Sequence, residues 1–198
     1  MSDAFARYDT FPHWTLEHWQ PVLPPGRLER IYLHWSASDY QSAHTAYHYC
    51  IAWDGERAYV VETSDLRANM RDVYATRGPY TAHTLKRNSF AAGLSVMGMK
   101  DARPDDFGDY PLVDTAVDAL CAVAARIARA YAIPVDAAHV MTHAEAALED
   151  GYFGAGSDDV RWDIARLRPS PVPLSPRDAR EIGAHLRNRI ALLEKDLS

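Results

Sequence analysis

Between Leu112 and Tyr131 the residues Val113, Val117, Leu120, Ala124 and Ile127 recur at intervals of three and four, which aligns them on one face of a helix. Such a face is stable in water only when another element covers it. The rest of the chain supplies strands. Arg30-Ile31-Tyr32-Leu33-His34-Trp35 has the β-branched and aromatic content of one, and a second runs from Tyr47 to Trp53. Asp54-Gly55 is a hairpin signal that precedes a returning strand, Ala58 to Glu62. Ala92 to Met99 reads as a central strand, and Ala138 to Thr142 as a short one beyond Pro134. Strands alternating with few helices predict a mixed α/β fold, a single domain with a central mixed sheet flanked by helices. Strand order is not readable from the pattern.

Residues 1–29 are aromatic and punctuated by proline, and form an N-terminal extension expected to pack on a domain spanning 30–168. Glu149 to Asp159 has the Gly, Asp and Ser content of a surface loop, and Arg161 to Leu167 is expected to begin a short helix. Pro169, Pro171, Pro173 and Pro176 mark residues 169–176 as a linker of polyproline character. Residues 177–198 form a C-terminal helix with Ile182, Leu186, Ile190 and Leu193 on one face. That face must dock, on this domain or on a second copy through self-association.

Twenty-seven acidic residues outnumber 21 basic ones, for a net charge of −6, and no Lys/Arg run is interleaved with aromatics. Nucleic acid is therefore disfavoured as a partner, because phosphate binding needs a concentrated basic surface. Cys50 and Cys121 lie in apolar surroundings and read as buried thiols. No 18-residue apolar stretch suggests membrane insertion, and the start MSDAFARYDTFPHW lacks the basic and apolar regions of a signal peptide. The expectation is a protein cytoplasmic at synthesis.

Nine histidines are more than a chain of 198 residues ordinarily carries. His34 and His143 each fall at the end of an apolar strand, where a rigid scaffold meets variable loops. Two such histidines and one carboxylate would make a zinc site with its fourth position open to water. Asp163 is the best third ligand by context, following a Gly-rich loop and preceding the expected helix, while Asp150, Asp158 and Asp159 compete for the role. His48, inside a strand, is expected to be a hydrogen-bonded packing residue. His139 and His143 have the spacing of two ligands on a helix, but on a strand they would lie about 13 Å apart, beyond the reach of one ion. Ser95 in Gly93-Leu94-Ser95-Val96-Met97-Gly98 does not fit a nucleophile elbow, and Cys50 is mid-strand rather than at an electropositive helix start.

The order His34-Trp35-Ser36-Ala37-Ser38, Tyr47-His48-Tyr49 with Asp54-Gly55, Ala82-His83-Thr84 with Asn88-Ser89 and Ala92-Gly93-Leu94, His143, then Arg161-Trp162-Asp163 resembles the zinc-dependent N-acetylmuramoyl-L-alanine amidases, which include phage amidase-type lysozymes and peptidoglycan recognition proteins. The resemblance runs from about Ile31 to Leu167. It implies zinc (Zn2+) on His34, His143 and Asp163, a catalytic Tyr47, and Arg161 where the family has Lys or Thr lining the site. Trp35, His83 and Asn88 are the implied substrate contacts. Arg161 keeps the cationic charge but cannot give up its proton, so it suits stabilisation of an oxyanion and not general acid catalysis. Tyr47 and a central strand without an acid place the chain nearer the phage-type branch than the recycling branch. The implied partner is peptidoglycan and the implied activity is that of an endolysin. The alternatives are a non-catalytic peptidoglycan-binding module and a cytosolic amidase that recycles soluble anhydro-muropeptides.

Overall fold

The computed structural model describes residues 5–157 and 160–196. In chain order its strands and helices are β1 (Phe5–Arg7), β2 (His13–Thr15), β3 (Arg30–Trp35), β4 (Ser42–His44), β5 (Tyr49–Trp53), β6 (Ala58–Glu62), β7 (Ala91–Val96), α1 (Asp114–Ala130), β8 (Val140–Thr142), α2 (His143–Glu149) and α3 (Pro176–Asp196). Six strands form one mixed sheet in the order β2-β6-β5-β7-β3-β8, and β1 pairs with β4 in a separate ribbon. The Asp54-Gly55 hairpin joins β5 to β6 antiparallel, its Asp54 carboxylate accepting from the backbone N–H groups of Glu56 and Arg57 at 2.8 Å each. β7 lies parallel between β5 and β3, and β8 closes the sheet parallel to β3. The mixed α/β architecture expected from the pattern is the one present.

Alternation along β3 decides which residues meet the core. Ile31, Leu33 and Trp35 join Ile51, Val60, Leu94 and Val96 beneath α1, whose Val117, Leu120, Ala124 and Ile127 cover that face. Tyr32 and His34 point to the opposite face. There the chain between β6 and β7 folds back over the sheet and His83 lies directly on Gly93, where any Cβ would overlap the imidazole. A glycine is required at that point of β7 for the two layers to touch.

The N-terminal stretch is woven into the domain. β2 extends the main sheet beside β6, and the Trp19 indole is buried in the principal core. The apolar face of α3 packs on α1 and α2, with Ala179, Leu186 and Ile190 excluded from solvent. Ile182 and Leu193, on the same face, are partly buried against the principal core. Residues 169–176 are strapped to the domain by Arg166, which donates to the carbonyls of Ser170, Pro173 and Pro104. Both cysteines are buried and unpaired. Among the described residues no helix is long and apolar enough to cross a membrane.

The expected helix over Arg161 to Leu167 is absent, and the segment runs as turns. Seven residues are too few to hold a helix by propensity, and tertiary contacts decide the path instead. Trp162 meets Trp35 edge to face at 4.3 Å, Ile164 and Ala165 are buried, and Arg166 is drawn to Asp178. Strand ends shift as well: β5 starts at Tyr49 because Tyr47 and His48 occupy a bend, and β8 starts at Val140.

Candidate metal centre

Three elements bring the site together. His34 is the fifth residue of β3, fully buried on the face away from α1. His143 is the first residue of α2, at a junction where the last residue of β8, Thr142, caps the helix. In this capping box the Thr142 hydroxyl accepts from the Glu145 N–H at 3.1 Å and the Glu145 carboxylate accepts from the Thr142 N–H at 3.0 Å. Asp163 arrives on the turn segment that replaces the expected helix. Its carbonyl accepts from the N–H of Ala144 at 2.5 Å, which ties the segment to the open start of α2.

The three side chains converge. Nδ1 of His34 is 3.1 Å from Oδ2 of Asp163, and Nδ1 of His143 is 3.1 Å from Oδ1 of the same carboxylate. One donor atom from each residue falls within 4.8 Å of the others, and all three residues are buried. Tetrahedral zinc with bonds of about 2.0–2.1 Å holds its ligand atoms about 3.3 Å apart. The carboxylate-to-imidazole spacings match that separation, and two imidazoles with one carboxylate form a donor set of the open catalytic kind. The residues present therefore fit a zinc ion.

Charge states suit the same purpose. Burial pushes the pKa of His34 down to about 4, against the pull of the Asp163 hydrogen bond, so its ring is neutral at pH 7. Burial opposes ionisation of Asp163, yet the facing rings of His143 and His34 outweigh it and hold the carboxyl below the usual carboxylate range. Burial, and then the charge of Asp163, raises the Tyr47 phenol well above its ordinary value. Tyr47 is a neutral phenol whose O–H donates to the Trp35 carbonyl at 3.2 Å, with its ring centroid 5.0 Å from that of His34.

Other expected residues divide. Arg161 is exposed and donates to the Val160 carbonyl at 2.8 Å. Trp35 is not at the cleft: alternation turns it into the α1 core against Trp162. His83 is buried on Gly93, with Nδ1 2.9 Å from the Thr84 hydroxyl, and that hydroxyl is 3.3 Å from Nε2 of His34. Asn88 is buried as well. Its Oδ1 accepts from the N–H groups of His83 and Thr84 at 3.0 Å each, and its Nδ2 donates to the Tyr74 phenol at 3.0 Å. Both residues are buried, and both hold the segment whose Thr84 hydroxyl meets His34. Of the competing carboxylates, Asp150 is paired with Arg87 at 2.7 Å, and Asp158 and Asp159 lie outside the described residues. His48 is a buried packing residue whose Nδ1 accepts from the Gly93 N–H at 3.0 Å, and His139 pairs with Asp136 at 2.7 Å in a turn, away from the site.

Sequence reading gave no role to Thr84, whose hydroxyl meets His34, or to Glu145 and Arg187, which pair beside the start of α2. Thr142-x-x-Glu145 is a capping-box pattern and marks the helix start at His143. Arg187 carries no local signal, and nothing local in Ala82-His83-Thr84 points to the contact of Thr84 with His34.

A search of curated proteins finds no match to the chain. A family model described as N-acetylmuramoyl-L-alanine amidase matches residues 25–159, a stretch that includes His34 and His143 and stops short of Asp163. On that match, which covers more than half of its length, the chain belongs to the N-acetylmuramoyl-L-alanine amidase family.

Proposed function

We propose that this chain is a zinc-dependent peptidoglycan hydrolase that cleaves the amide between the lactyl group of N-acetylmuramic acid and L-alanine of the stem peptide. The observation that carries this reading is the convergence of His34 Nδ1, His143 Nδ1 and the Asp163 carboxylate in a chain of this family. When bound, zinc supplies Lewis acidity that polarises a carbonyl and brings the pKa of a water toward ~7. His34, His143 and Asp163 are its ligands, with the rings neutral and the carboxyl ionised.

Tyr47 orients the attacking water and the scissile amide as a neutral hydrogen-bonding group. Its raised pKa makes it a poor base at neutral pH. Arg161, exposed two residues before Asp163, is the permanent cation available to an amide oxygen that gains negative charge. His83 and Asn88 act by holding the loop that carries Thr84 against His34.

Within the family we read the chain as an endolysin acting on intact wall, because Tyr47 is present and β7 carries no acid. The test is digestion of purified sacculi by zinc-loaded protein, followed by mass analysis. Free stem peptides beginning with L-alanine, together with glycan strands that keep their lactyl groups, are expected. Binding without release would make the chain a recognition module, and release only from soluble anhydro-muropeptides would make it a recycling enzyme.

A further inference from the structure

Helix α3 lies beyond the matched residues 25–159, yet it reaches the helix that carries His143. Arg187 on α3 engages Glu145 at two points, Nη1 to Oε2 at 2.7 Å and Nη2 to Oε1 at 2.9 Å, and Nη1 also donates to the Val140 carbonyl at 3.0 Å. The two side chains are only 12% and 10% exposed, so the fork is largely withdrawn from water. One turn earlier, Gly183 lets α3 approach so closely that a Cβ there would overlap the Glu145 carboxylate. Glu145 is also the far member of the capping box that opens α2, with His143 between the two capping residues.

We propose that Arg187 is a positioning residue for the metal centre: through Glu145 it fixes the first turn of α2, and with it the ring of His143, and so sets the affinity for zinc. This rests on the reading that His34, His143 and Asp163 hold the ion. α2 has seven residues, too short to keep its shape unaided, and its first turn depends on its caps. A buried carboxylate that loses its cation is left uncompensated and is driven toward water, which works against its bond from the Thr142 N–H. The contact of Arg187 with the Val140 carbonyl fixes β8 and α2 as one unit. Arg87 holds the opposite end of α2 through Glu149 and Asp150, so loss of Arg187 acts on the start of the helix specifically.

The experiment is competition for Zn2+ between metal-free full-length protein and a chelator of known strength. Three variants are compared with wild type: Arg187→Lys, which keeps the charge and loses the fork; the pair Glu145→Gln with Arg187→Met, which leaves no buried charge alone; and Arg177→Ala on the exposed face of α3. Wild type and Arg177→Ala are expected to bind one zinc equally well. Arg187→Lys and the double variant are expected to bind about 10–100-fold more weakly while retaining wild-type far-UV circular dichroism. Their Co2+-substituted forms are expected to show altered visible spectra, a response that a purely structural clamp would not give. If Arg187→Lys does not fold, the double variant decides. A lowered melting temperature with zinc affinity within about twofold of wild type would overturn the proposal. A wild type that binds no zinc would instead overturn the metal reading on which it rests.

Discussion

The hydroxyl of Thr84 lies 3.3 Å from Nε2 of His34, on the side of the ring opposite to the Asp163 carboxylate. The same hydroxyl is 2.9 Å from Nδ1 of His83. When His34 donates its Nε2 proton to Thr84, and Thr84 donates to His83, Nδ1 of His34 is left with its lone pair facing His143 and Asp163. That is the tautomer a metal ligand needs, and a partner behind the ring is the usual means of securing it. Thr84→Val is expected to weaken zinc binding by about 10–100-fold, and Thr84→Ser to restore it. Chelator competition on the two variants checks this, and equal affinity for both would remove Thr84 from the argument.

Removal of a ligand is a coarser test with a sharper outcome. Purified wild type is expected to carry zinc close to one per chain, and both His34→Ala and Asp163→Ala to lose it along with activity. Metal content by atomic emission together with peptide release from sacculi reads both. Full activity of wild type in excess strong chelator would show that the chemistry needs no metal.

Tyr47→Phe separates metal binding from turnover. The phenol lies beside His34 without being one of the converging donors, so zinc should stay bound while peptide release slows by about 10²-fold, the low end of the range for a lost hydrogen-bonding group at a reacting centre. The Trp35 carbonyl also loses its donor, which costs about 1–2 kcal/mol of stability and is measurable by urea unfolding. An unchanged rate at normal zinc content would exclude Tyr47 from the reaction.

What the amino-acid order reveals here follows the range of each interaction. α1 and the β5–β6 hairpin rest on local periodicity and on one turn dipeptide, and both stand in the structure. His34 and His143 were readable because each closes an apolar run. Trp35 was misplaced among substrate contacts although the period of two along β3 already opposes it to His34. Asp163 was reached through its neighbours, yet the helix expected to orient it does not form; the Ala144 N–H and the Trp35–Trp162 contact do that work. Thr84 stands in the Ala82-His83-Thr84 block, but its contact with His34 and that of Arg187 with Glu145 were invisible because each spans tens of residues, 50 and 42 respectively. Nothing local in a sequence records such a pairing.

His48 gives the apoprotein a pH dependence whose sign can be worked out. Burial pushes its pKa down to about 3, partly offset by the Gly93 backbone, from an unfolded value near 6.5. Between those values the unfolded chain binds a proton that the folded chain refuses. Stability contributed by the neutral ring is therefore complete above pH ~6.5 and is lost as pH falls toward 3, at up to about 1.4 kcal/mol per pH unit. His83, depressed by burial and by its histidine neighbours, adds a slope of the same sign. Urea unfolding of the metal-free protein at a series of pH values between 4 and 6.5 should show stability falling toward acid. His48→Gln keeps a side-chain acceptor for the Gly93 N–H and removes the titration, so its slope should be shallower by about one proton. An identical slope in the variant would mean that the ring is solvated in the folded state and titrates as it does when unfolded.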